Sequence, residues 1–148
     1  MTGITIERVD HIGIRVRDLE RAMAFYEVLG FKLMRRVTYD PVAIIRNDAG
    51  VEINLILNAN AGDPATNILM DVEEKYAGYT HVALRVASIP NTIAALNANN
   101  ILITQGPSKF GDDGGVSVFV RDPDRNVIEL RGRDQGTIEG VTQYDNAN

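Results

Sequence analysis

The sequence predicts an α+β protein built from two tandem βαβββ modules. Three observations carry that expectation: an internal repeat at a constant offset of 70 positions, alternating strands at matched places, and a capped amphipathic segment after the first strand of each copy. Val9 to Phe31 lies over Tyr79 to Ile101 without a gap. His11 falls on His81, Arg15 on Arg85, Val16 on Val86 and Ala24 on Ala94. The apolar positions match as well: Ile12 with Val82, Ile14 with Leu84, Leu19 with Ile89, Met23 with Ile93.

Each copy opens with a strand in which aliphatic residues alternate with a histidine, a small residue and an arginine. The histidine therefore lies on the face opposite the aliphatic stripe. A helix follows. Asp18 and Ser88 are suited to cap the helix N-termini, Pro90 suits a first turn, and Gly30 is the expected C-cap of the first helix. Leu19, Ala22, Met23, Tyr26 and Leu29 form its apolar stripe, repeated as Ile89, Ile93 and Leu96. Strands are expected near 32–38, 42–47 and 51–58 in the first module, and near 102–105, 116–121 and 127–131 in the second. The turn at 122–126, Asp-Pro-Asp-Arg-Asn, is a strong breaker. One domain over 1–148 then divides into module 1 (about 5–60), a linker (about 61–77), module 2 (about 78–133) and a polar tail (134–148) draped on the surface or a partner. The linker is long for a bare loop and predicts a short helix around Met70 to Tyr76.

The bulk numbers narrow the function. The chain has 148 residues, 45% of them hydrophobic and 24% charged, with net charge −5. That length can bury a core. The acidic balance disfavours nucleic acid. No cysteine is present, which excludes disulfides, thiolate metal sites and a cysteine nucleophile. No apolar run is long enough for a membrane helix, and the N-terminal residues do not resemble a secretory signal. A soluble, unprocessed, cytoplasmic protein is the expectation.

Two copies of one module usually pack about a pseudo-twofold axis, so equivalent positions converge. His11 and His81 are the only histidines. On the closing strands Asn54 and Glu129 are the equivalent pair. A lone strand histidine is more often structural than a ligand; the matched pair with a Glu reverses that judgement. Two imidazoles and a carboxylate (His11, His81 and Glu129) suit a divalent ion of Fe, Mn, Ni, Co or Zn.

These motifs resemble the vicinal oxygen chelate superfamily, the glyoxalase, bleomycin-resistance and dioxygenase family. The residues that carry the resemblance are Val9-Asp10-His11-Ile12-Gly13-Ile14 with Asp18-Leu19 and Phe25 to Phe31, then Thr80 to Val86, then Phe119 to Leu130 with its Asp-Pro turn; together with the strands between them they cover 5–133. The resemblance implies paired modules forming a cupped mixed sheet with helices outside, a homodimer, and metal ligands at His11, His81 and Glu129. It implies a small oxygenated substrate chelated to an open metal acting as a Lewis acid. The reaction can be a dioxygenation, or the work of a glyoxalase-like lyase, isomerase or epimerase. A fosfomycin-type thiol transferase and a metal-free bleomycin-resistance-type binder are further alternatives.

Departures from the family patterns sort these. Glyoxalase I is expected to have Glu where Asn54 stands, and an amide is no general base. Glu52, two residues away at ~7 Å on the same face, is a substitute base or a salt-bridged surface residue. Methylmalonyl-CoA epimerase carries an amide at the position of Asn54. Extradiol dioxygenases carry a Tyr where Phe119 stands and a second-shell His absent from 110–113. Thiol transferases place a Lys where Lys109 is, and Ser117 matches part of their substrate set. The expected catalytic residues are thus Glu129, Asn54 and Glu52. Lys109, Arg15, Arg85 and Arg131 are candidate substrate contacts. The run Gly106 to Gly115 is expected as a mobile lid or a plain connection.

Overall fold

The computed structural model describes residues 2–145. The chain separates into two compact units, Met1–Ala61 and Gly62–Asn148.

In the first unit the order is β1 (Ile12–Arg15), α1 (Leu19–Tyr26), β2 (Lys32–Arg36), β3 (Val42–Arg46) and β4 (Glu52–Ile56), forming a sheet of order β1-β4-β3-β2. β1 runs parallel to β4, and the other neighbours are antiparallel. Alternation decides the faces. Ile14, Ala43, Ile45, Ile53 and Leu55 are buried with Ala22, Met23, Phe25 and Tyr26 of α1, whereas Gly13 and Arg15 on the opposite face of β1 are exposed. Asp18 accepts from the Arg21 backbone N–H at 2.9 Å, as an N-cap should. The helix ends three residues before its expected stripe does. Residues 28–30 bond back three positions rather than four, and Gly30, at φ +92°, turns the chain so that the Phe31 N–H returns to the Tyr26 carbonyl.

The second unit holds β5 (His81–Arg85), α2 (Ile89–Ala98), β6 (Ile103–Phe110), β7 (Gly115–Arg121), β8 (Val127–Arg133) and β9 (Thr142–Tyr144). Its sheet order is β5-β8-β7-β6-β9. Parallel β5·β8 repeats the β1·β4 pairing, and Ser88 caps α2. Gly132 lets α2 sit tightly on β8: a Cβ there would meet the Ile89 side chain at 2.9 Å and the Val86 carbonyl at 3.2 Å. The βαβββ module thus occurs twice, and the fold is α+β with two mixed sheets.

Three expectations change. No helix forms around Met70 to Tyr76. Asn67 instead accepts from the Leu69 and Met70 N–H groups, a local alternative to a helical turn, and Asp71 pairs with Arg121 and Arg125. β6 runs through Phe110, which shortens the expected lid to the turn between β6 and β7. The polar tail contributes β9, parallel to β6; a Thr-Gln-Tyr triplet carries too little pattern to announce a strand. The last residues of the tail lie outside the described ones. Among the described residues no helix is long and apolar enough to cross a membrane.

Candidate metal centre

Strand register tests the sequence's claim of equivalence. Asn54 of β4 stands opposite Gly13 of β1, and Glu129 of β8 stands opposite Ala83 of β5. Gly13 and Ala83 are themselves matched in the repeat. Asn54 and Glu129 therefore occupy the same place in the two modules, each beside a strand that starts at or just after a histidine.

In the second unit His81 opens β5, and its Nε2 lies 3.2 Å from Glu129 Oε1. Its Nδ1 lies 2.9 Å from Thr80 Oγ1. Glu129 is 9% exposed. Its second oxygen accepts from the buried Ser117 hydroxyl at 2.8 Å, and Ser117 in turn accepts from Arg131 Nη1 at 3.0 Å. Arg131 Nη2 reaches Asp113 Oδ2 at 2.5 Å. The backbone N–H of Gly115, then Arg131, hold the Asp113 carboxyl below its ordinary pKa, with Arg85 adding its charge from β5. Hydrogen bonds thus run from Asp113 to Glu129 and fix the carboxylate on the side away from His81.

That geometry suits a metal. Ligand atoms about 2.1 Å from one ion are spaced roughly 3.0–3.4 Å from each other in octahedral or tetrahedral sites. The His81–Glu129 separation falls in that interval. Ser117 takes one carboxylate oxygen and leaves the other facing the imidazole.

In the first unit His11 stands just ahead of β1, with Nδ1 2.6 Å from Asp10 Oδ1. The imidazole lowers the Asp10 pKa, chiefly through this hydrogen bond. A carboxylate on Nδ1 orients the ring and leaves Nε2 available as a ligand. Asp10, His11 and Glu52 bring ligand atoms within 4.8 Å of one another. Glu52 also takes Arg46 Nη2 at 2.5 Å, so it is salt-bridged. Asn54 Oδ1 is buried with no hydrogen-bond partner among the described residues.

The candidate substrate contacts divide. Arg131 belongs to the Glu129 network. Arg15 donates from Nε to Asn58 Oδ1 at 3.0 Å. Arg85 is exposed on β5. Lys109 lies within β6 and pairs with Asp134 at 2.8 Å, a contact that lowers the Asp134 pKa. Sequence reasoning did not find the Asp10–His11 bond. Its signal was present, since an Asp immediately before a candidate ligand is within reach of the ring.

The model of the Glyoxalase/Bleomycin resistance protein/Dioxygenase superfamily matches residues 8–130. The chain belongs to that superfamily. Among glyoxalase-superfamily relatives, a lactoylglutathione lyase of Salmonella typhimurium is 30% identical, covering 83% of this chain and 90% of its own length. A lactoylglutathione lyase of Arabidopsis thaliana is 26% identical over 81% of this chain, which spans only 42% of that longer protein. The mitochondrial methylmalonyl-CoA epimerase of Mus musculus is 26% identical, covering 79% and 67%. A solved glyoxalase/dioxygenase from Nostoc punctiforme superposes with a TM-score of 0.70 at 21% identity, covering 91% of this chain and 99% of that one; at this identity the likeness speaks for the superfamily fold alone.

Proposed function

We propose that this chain is a divalent-metal enzyme that moves a proton on a small oxygenated substrate, as a lyase, isomerase or epimerase, with His11, His81 and Glu129 as its metal ligands. The observation that carries the reading is the His81–Glu129 pair, 3.2 Å apart, with the carboxylate held from behind by Ser117. A bound divalent ion would supply Lewis acidity to neighbouring substrate oxygens.

The residues of the chain do the rest. His81 and Glu129 present one nitrogen and one oxygen on the same face of the second unit's sheet. Glu129 is a carboxylate able to hold a proton beside the substrate. Asn54 cannot take a proton, but its unpartnered Oδ1 can accept a hydrogen bond from a substrate hydroxyl or a water. Glu52 is a second candidate base, restrained by Arg46. The relatives named for lactoylglutathione and methylmalonyl-CoA favour thioesters with an acidic C–H beside the carbonyl.

A second reading, iron(II) oxygen chemistry on the same three donors, ranks lower. Phe119 sits edge-on to His81 with ring centroids 5.8 Å apart and offers no hydroxyl.

Two measurements test the proposal. Calorimetric titration with Zn(II) or Mn(II) is expected to show binding that His81→Ala abolishes; unchanged affinity in that variant would remove His81 from the ligand set. NMR in deuterated water is then expected to show metal-dependent exchange of the carbon-bound proton of lactoylglutathione or methylmalonyl-CoA. Oxygen uptake with iron and no exchange would favour the second reading.

A further inference from the structure

The chain has four phenylalanines. Phe25 and Phe31 are core residues of the first unit, 5% and 2% exposed. The other two, Phe110 and Phe119, are both partly exposed and stand in a row with His81 and Tyr144. The His81 and Phe119 centroids are 5.8 Å apart at 68°, Phe119 and Phe110 6.3 Å at 80°, and Phe110 and Tyr144 5.4 Å at 19°. Register explains the row. Phe119 is opposite Glu129, Ser117 is opposite both Arg131 and Ser108, and Phe110 is opposite Tyr144. Alternation puts Phe110 on the Ser108 side, so all three aromatic rings share the face that carries Glu129.

Large rings left open to water on the face of a candidate site are informative, because burying them would be favourable. Phe110 remains 38% exposed and Tyr144 47%. Tyr144 is placed by β9, three residues with no aliphatic anchor of their own. The stacking of its ring on Phe110 is one of the contacts that fix the tail there.

We infer that this row binds a flat ring of the substrate and that Tyr144, delivered by β9, is its specificity-determining far wall. The inference rests on the proposed metal reading. The oxygenated head would lie at His81 and Glu129, and the body would extend over Phe119 towards Phe110 and Tyr144. Edge-to-face and offset-stacked contacts favour a planar aromatic body over a branched aliphatic one, so a thioester without a ring would engage the His81 and Glu129 end and leave the row unfilled.

Two hydroxamates with the same chelating head separate body from head: acetohydroxamate and 2-naphthohydroxamate, titrated against the full chain with and without Zn(II). The naphthyl compound is expected to bind the zinc-loaded protein at least about tenfold more tightly. Tyr144→Ala and Phe110→Leu should remove most of that advantage, Tyr144→Phe should keep it, and acetohydroxamate should bind all variants alike. Equal loss for both probes, or no loss for either, would overturn the inference while zinc binding itself still supports the metal reading. If zinc does not bind yet Tyr144→Ala still weakens the naphthyl probe, the row stands as an aromatic site and the metal reading falls. Sedimentation velocity supplies the remaining arm: a change of association state in Tyr144→Ala with unchanged probe affinities would make the row a contact between copies and overturn its role in binding.

Discussion

Ser117 has no solvent access, and its hydroxyl serves two neighbours, donating to Glu129 and accepting from Arg131. Removing the hydroxyl leaves the Glu129 carboxylate without its rear anchor and frees it to rotate away from His81. Ser117→Ala is expected to weaken metal affinity about 10–100-fold, as loss of an outer hydrogen bond to a ligand does. Calorimetry measures this, and an affinity within twofold of the parent would show that Ser117 does not position Glu129. Much of this residue-scale picture was legible in the sequence. The repeat aligned His11 with His81, and facing direction paired Asn54 with Glu129. The partners of Arg131, Lys109 and Glu52 were not legible. Asp113, Asp134 and Arg46 reach them through turn geometry and cross-strand register, which side-chain chemistry alone does not specify.

At the scale of elements, the segment joining the modules is pinned to the second unit rather than free. Asp71 bridges Arg121 and Arg125, and Asn67 donates to the Arg125 carbonyl. Arg125 first, with Arg121, pulls the Asp71 pKa from 3.8 to about 2. A carboxyl depressed in the folded state stabilises it above the unfolded pKa and loses that contribution as pH falls through the folded one. The second unit should therefore lose stability between about pH 4 and pH 2. Asp71→Asn is expected to cost about 1 kcal/mol at pH 7, after solvent screening of the exposed Arg125, and close to nothing at pH 2. Chemical denaturation at the two pH values checks this; a pH-independent difference would assign the effect to packing. The sequence anticipated both helices and every strand except β9, because caps and alternation are local signals. It erred at 70–76, where a long-range ion pair and an Asn turn override a weak helical preference, and at β9, whose pairing depends on a strand more than thirty residues away.

For the whole molecule, the repeat creates two equivalent positions, but only the second carries a carboxylate, so the proposed ligand set is not duplicated. Glu129 is matched by Asn54, and the acidic donors near His11 are engaged already, Asp10 with the imidazole and Glu52 with Arg46. One ion per chain is the expected stoichiometry. Elemental analysis giving about two per chain would mean that the Asp10, His11 and Glu52 cluster holds an ion of its own, and His11 would then leave the proposed set with His81 and Glu129. Membership of a superfamily with many activities leaves substrate choice to side chains that the common fold does not fix.

The three residues of β9 have one more consequence. An uncovered strand edge presents unpaired amides that can recruit another chain into a growing sheet, the first step towards insoluble aggregate. β9 caps the outer edge of β6 at Ser108 to Phe110. The same short tail that sets an aromatic ring in place thereby replaces part of a long open edge with one only three residues long, which offers another chain little to pair with and gives solubility a stake in a segment whose sequence looks expendable.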